Sequence, residues 1–139
     1  MDSVRRMAGY SGTPLEKKLG VKDGQVVFLD QPPAGFELAA AATTRLPKLA
    51  TVTLTFQTER RALEQRLPVL IEHTESDGMV WICWPKQAAV KVGRIESDLG
   101  EADVRALGLD AGLVDVKVCA IDEVWSGLKF VRRLTDRSS

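Results

Sequence analysis

Three features of this 139-residue sequence predict an α/β fold, with a mostly parallel sheet closed by an antiparallel C-terminal hairpin. Strand-like and helix-like runs alternate through most of the chain, the pattern of strands joined by right-handed crossovers. Two strand-like runs, QVVFLD at 25–30 and MVWICW at 79–84, are apolar almost throughout, as strands buried on both faces are. The last two runs, 114–121 and 128–133, are joined only by Asp122-Glu123-Val124-Trp125-Ser126-Gly127. That turn is too short for a crossover, so the final strand must run antiparallel to its predecessor.

The elements follow in order. Thr13 as a cap, Pro14 at the first helical position and Glu16 three residues after Thr13 form a capping box, so 14–19 reads as a short helix stopped by Gly20. Lys22-Asp23-Gly24 turns into the strand 25–30, and Gln31-Pro32-Pro33-Ala34-Gly35-Phe36 breaks it. Residues 37–44 are alanine-rich and read as a short helix ended by Pro47. TVTLTF at 51–56 alternates and is β-branched, hence a strand. Thr58 caps the next helix, with Glu59 in its first turn and Leu63, Leu67, Leu70 and Ile71 as its apolar stripe. Pro68 is expected to kink or divide that helix. Asp77-Gly78 reads as a turn before 79–84, and Pro85-Lys86-Gln87 as the end of that strand, followed by a loop to about Ser97. Asp98 with Glu101 makes a second capping box, Leu99, Ala102, Ala106 and Leu107 an apolar face, and Gly108 a stop. The expected sheet has five strands, four of them parallel, with 128–133 inserted between 79–84 and 114–121. The expected domain is single, over 8–134, with 1–7 and 135–139 as flexible tails.

Composition excludes several classes. Hydrophobic residues are 45% and charged residues 27%, an ordinary globular balance. Nineteen basic residues offset nineteen acidic ones, so no global field recruits a polyanion. No apolar run approaches the roughly 18 residues of a membrane span, and MDSVRRMAG is not a secretory signal. Cys83 and Cys119 lie in apolar runs without CxxC spacing and read as reduced, buried thiols of a cytoplasmic protein. One histidine, His73, supports neither a zinc site nor a Ser/His/Asp set.

Function is expected where the carboxyl ends of the strands meet, because open α/β sheets bind ligands there. The candidate ligand-binding residues on that rim are Asp30, Trp84, Lys86, Asp122, Trp125 and Ser126. Each has a structural alternative: the two tryptophans as packing residues beside a core Trp81, and Asp122 and Glu123 as acceptors for turn amides. Asp122 and Asp30 together would offer a carboxylate pair for acid/base work. The loop Tyr10-Ser11-Gly12-Thr13 can bind an anion or simply cap its helix. Arg5, Arg6, Lys17, Lys18, Arg132, Arg133 and Arg137 lie near the chain ends, without the interleaved aromatics of a nucleic-acid surface.

Two resemblances arise from these motifs. KLGVKDGQVVFLD at 18–30 resembles the approach to the first strand of Rossmann-like S-adenosylmethionine methyltransferases, and the closing hairpin resembles their sixth and seventh strands. YSGTPLEKKLG, Trp84-Pro85-Lys86 and VKVCAIDEVWSGLKFV together resemble a bacterial family of small, single-domain proteins of unknown function. The first resemblance implies a methyltransferase-like three-layer sandwich containing the first, fourth, fifth, sixth and seventh strands of that arrangement. The chain departs from it where the cofactor would bind. DQPPAGF replaces the glycine-rich turn, and residues 31–50 are too few for two further strand–helix units, since one crossover takes about 10–12 residues or more. The expectation is therefore a non-catalytic binding or interaction module with no cofactor and no metal. Its partner would be a small molecule or a protein, with no membrane and no nucleic acid. The alternatives are a small-metabolite enzyme using Asp122, Lys86 and Ser126, and a nucleic-acid-associated regulatory protein using the terminal arginines.

Overall fold

The computed structural model describes residues 14–136. Its strands are β1 (Val27–Asp30), β2 (Ala50–Phe56), β3 (Thr74–Pro85), β4 (Leu113–Ala120) and β5 (Trp125–Arg132). They form one mixed sheet in the order β1-β2-β3-β5-β4. β1, β2 and β3 are parallel neighbours, and β5 is antiparallel to both β3 and β4. The inserted final strand and the four-to-one division of directions are those expected from the hairpin.

The helices are α1 (Leu15–Leu19), α2 (Arg60–Glu72), α3 (Gln87–Lys91) and α4 (Glu101–Asp110), with a 3-10 turn over Leu134–Asp136. α2 and α4 cover one face of the sheet, where Leu63, Leu67, Val104 and Leu107 meet Val80, Ile82, Leu128 and Phe130. The other face, centred on Val52, Leu54, Trp81 and Cys83, is covered by Leu19 and Val21 with Phe36, Leu38 and Ala40. The third layer of the expected sandwich is thus one short helix plus irregular chain. Trp81 ties it down, its indole Nε1 donating to the Leu19 carbonyl at 2.9 Å.

The expected helix at 37–44 does not form. Thr43 instead bridges to β1: its amide donates to Val27 O at 2.9 Å, and Leu29 N donates to Thr43 O at 2.8 Å. The Glu16 carboxylate accepts the Ala39 amide. An eight-residue helix is marginal by itself, whereas the outer edge of β1 offers unpaired backbone groups. Asp77-Gly78 is no turn but part of a longer β3, with an irregularity opposite Ala50 and Val52. Pro68 does not divide α2: it is exposed, and Leu63, Leu67 and Leu70 hold the helix to the sheet on its other side. α3 forms inside the segment expected to be a loop. Pro14 is the N-cap of α1 rather than its first residue, and Thr13 lies outside the described residues. Asp98 caps α2, not α4, its carboxylate accepting the Arg60 amide at 2.8 Å; Asp103 accepts Gly100 N at 3.0 Å at the start of α4.

Gly108 is not a stop but a buried residue within α4, which ends at Asp110 with Ala111 as its C-cap, followed by Gly112 with φ of 95°. A Cβ on Gly108 would lie 2.2 Å from the Phe130 ring, so α4 rests directly on that ring. The apolar side of α4 is accordingly Val104, Leu107 and Gly108, while Ala102 and Ala106 face solvent. Gly108→Ala is expected to destabilise the fold by about 1–3 kcal/mol through overpacking, outweighing the roughly 1 kcal/mol that alanine gains in helix propensity. Thermal melting checks this; a melting temperature at or above that of the parent would show that the helix has room to shift.

Candidate functional site

The β1 end of the rim is a brace. Asp30 is 4% exposed, and its carboxylate accepts the Thr55 hydroxyl at 2.8 Å and Arg66 Nη2 at 2.8 Å. Gln57 donates to Thr55 at 2.7 Å, so a polar chain runs from β2 through Asp30 to α2. The hydrogen bond from the Arg66 guanidinium to this carboxylate raises its already high pKa, against a smaller opposing effect of burial. Asp30 is therefore fully engaged, on the helix-covered side of the sheet.

The chain then turns sharply. Gln31 takes φ of 56°, a left-handed conformation that side chains rarely adopt. Pro32 and Pro33 follow, and Phe36 returns over the sheet end. Its ring lies 4.9 Å from Phe56, which meets Trp125 edge-on at 5.3 Å. Trp125 is 6% exposed and belongs to the core. A row of three aromatic rings closes this end of the sheet.

The hairpin turn is held by Asp122, whose Oδ1 accepts the amides of Val124 and Trp125, both at 2.8 Å. Lys86 N donates to Val124 O at 2.7 Å, fastening the exit of β3 to the same turn. Two clefts flank it. The larger, about 580 Å³, lies between the β3 exit, the hairpin and the start of α4, and includes Trp84, Lys86, Gln87, Asp98 and Ser126. The smaller, about 420 Å³, includes Pro33, Phe36, Ile121, Asp122 and Trp125. Successive strand residues point to opposite faces, so Trp125 and Ser126 part company at the start of β5. The six rim residues are divided three ways: Asp30 in the brace, Trp84, Lys86 and Ser126 in the larger cleft, Asp122 and Trp125 in the smaller.

This division removes the carboxylate pair of Asp122 with Asp30, and separates Asp122 from Lys86 and Ser126. Acidic groups beside the larger cleft are already occupied: Asp98 caps α2, Asp103 pairs with Arg60 at 3.5 Å, and Glu101 pairs with Arg105 at 3.0 Å. The Lys86 ammonium has no ion pair among the described residues. The cleft thus offers the Lys86 ammonium, the Ser126 hydroxyl, the Gln87 carboxamide and a largely buried indole, while the Ser97 hydroxyl is held by the Thr58 carbonyl and the Leu99 amide. Gln87 stands at the strand end as expected, but the sequence read the residues after it as loop, and they form α3. The Asp30–Arg66 pairing is non-local and left no local signal.

Other candidates have structural roles. His73 Nδ1 sits 2.9 Å from the Pro47 carbonyl. Arg132 donates to the carbonyls of Ile71, Thr74 and Glu75 at 2.6–3.1 Å, closing the end of α2. Burial pushes the Cys83 thiol well above its ordinary pKa, and more weakly that of Cys119; both are free. The loop 10–13, Arg5, Arg6 and Arg137 lie outside the described residues. Among the described residues, no group of His, Cys, Asp and Glu is placed to hold a metal ion, and no helix is long and apolar enough to cross a membrane.

No protein-family model and no curated protein sequence matches the chain. Solved structures do resemble it in fold. Magnesium protoporphyrin IX methyltransferase (ChlM) from Synechocystis PCC 6803, with bound SAH, matches with a TM-score of 0.52 at 13% identity, over 71% of this chain and 53% of that one. LepI in complex with SAM matches with a TM-score of 0.53 at 13% identity, over 86% of this chain and 39% of that one. The chain has a methyltransferase-like α/β fold and spans about half, or less, of the length of these structures. The residues beyond β1 do not fit the cofactor that such a fold implies. Two prolines offer no amides, Asp30 is locked to Arg66, and Phe36 covers the sheet end.

Arg66→Met is expected to destabilise the protein by about 1–3 kcal/mol, because it strips a buried carboxylate of its charged partner. Pairing it with Asp30→Asn should recover part of that loss, and denaturant melts of the three variants provide the check. Trp125→Ala is expected to cost about 3–5 kcal/mol, as removal of a buried aromatic does. Asp122→Asn keeps the accepting oxygen and should melt near the parent, whereas Asp122→Ala should lose about 1 kcal/mol with its turn hydrogen bonds. A collapsed melting temperature for Asp122→Asn would show that the charge itself braces the hairpin.

Proposed function

We propose that the protein is a non-catalytic, methyltransferase-like binding module that takes a small molecule or a short protein segment in the cleft of Trp84, Lys86 and Ser126. The observation that carries this reading is the closed β1 end: the Asp30 brace, the proline turn and the Phe36–Phe56–Trp125 row stand where a cofactor would need free amides and space. The proposal extends to a cytoplasmic setting and to the bacterial family of unknown function that its motifs resemble. The enzyme alternative is weaker, because Asp122 lines a different cleft from Lys86 and Ser126. The nucleic-acid alternative is weakened by Arg132, which is committed to the end of α2.

Titration calorimetry with S-adenosylmethionine and S-adenosylhomocysteine is expected to give no binding tighter than about 10 μM, a free energy of roughly −7 kcal/mol. Tighter binding would overturn the non-catalytic reading. Amide chemical-shift mapping with a fragment set of small carboxylates and short peptides should move Trp84, Lys86 and Ser126 first. Shifts confined to residues 31–36 would place the site at the other end of the rim.

A further inference from the structure

The face of the sheet opposite α4 carries an arrangement that the rim does not explain. Lys117 of β4 and Lys129 of β5 stand directly opposite one another in register. Like charges so placed are destabilising. Lys129 also adjoins Trp81 of β3, on the face that α1 covers. Burial, and then the neighbouring Lys117 ammonium, hold its pKa below the ordinary lysine value. Burial raises the pKa of the Cys119 thiol, and the ammonium groups of Lys18, near the end of α1, and Lys117 oppose that rise. None of the three lysines is ion-paired among the described residues. Val114 and Val131, paired across the same two strands, extend the patch with partly exposed apolar surface.

We propose that this face of the β4–β5 hairpin, bearing Lys18, Lys117 and Lys129 beside Val114 and Val131, docks an acidic, partly apolar segment of a partner protein. The inference is independent of the cleft at Trp84 and concerns a different surface. An acidic segment fits because its carboxylates would convert a repulsive lysine pair into a bridged one, while its apolar residues cover the valines. A second copy presenting the same face would set lysine against lysine. Residues 1–13 of the chain contain two arginines and one aspartate, the same sign as the patch. None of Lys18, Lys117, Lys129, Val114 and Val131 carries an aromatic ring on which bases would stack.

The test uses the full chain and a fluorescein-labelled peptide of alternating glutamate and valine, read by anisotropy. Binding is expected, weakening as salt rises, and falling at least tenfold in Lys117→Thr/Lys129→Thr and several-fold in Lys18→Ser. The double variant should melt at or above the parent temperature, since it relieves the cross-strand repulsion; a purely structural pair would instead lower it. Lys48→Ser, at an exposed lysine ahead of β2 and outside both clefts, should leave the affinity unchanged. No binding at millimolar peptide, equal binding by the double variant, or loss of binding in Lys48→Ser would overturn the proposal. So would tighter binding of a single-stranded oligothymidylate than of the peptide, which would mark the patch as a nucleic-acid surface.

Discussion

The place of β5 in the sheet is the constraint on which the rest depends. Lying between β3 and β4, it carries Leu128 and Phe130 to the side of α2 and α4, and Trp125 to the opposite side. Phe130 sets how closely α4 can approach, because the helix meets its ring at Gly108. Trp125 completes the aromatic row over the end of β2. Gly127 sits between Cys83 and Cys119 in the pairing, with Trp81 and Ile121 filling the space above it. One eight-residue strand thus organises both cores.

The same strand decides what the rim can do. Its two-residue period sends Ser126 and Trp125 to different faces, so the unusual residues at the carboxyl ends are shared between two clefts. At the β1 end the Asp30 carboxylate is not available to a ligand, because it is consumed by Thr55 and Arg66. Where a longer α/β domain would continue its sheet past β1, Thr43 supplies a single bridge instead. The edge is blunted, and the loop that blunts it also carries Phe36 onto the sheet end.

The opposite edge is finished differently. β4 has exposed valines at 114, 116 and 118, an irregularity at Val116 and a lysine beside it. The irregularity places Val114 and Val118 on opposite faces, so the strand offers no continuous apolar stripe to a neighbouring edge. Bulges and lysines of this kind discourage edge-to-edge pairing. What remains open on this side is the basic sheet face rather than the edge itself.

Much of this architecture was legible in the residues alone, because it rests on local patterns. The apolar runs at 25–30 and 79–84 announce parallel strands, and the short turn at 122–127 dictates an antiparallel finish. The proline turn after Asp30 excludes a glycine-rich cofactor loop by its chemistry, before any coordinates. Asp122 as an acceptor of turn amides is likewise a local property. Tertiary structure decided the rest, through contacts between residues distant in sequence. The 37–44 segment gave up helix for a bridge to β1, and Gly108 became a packing contact instead of a stop. Asp98 left its own helix to cap α2. Asp30 found Arg66 across the α2 interface and became a brace, and the period of β5 divided the rim. Local pattern determines which elements form and in what order; which charges are free at the end depends on partners that only folding brings together.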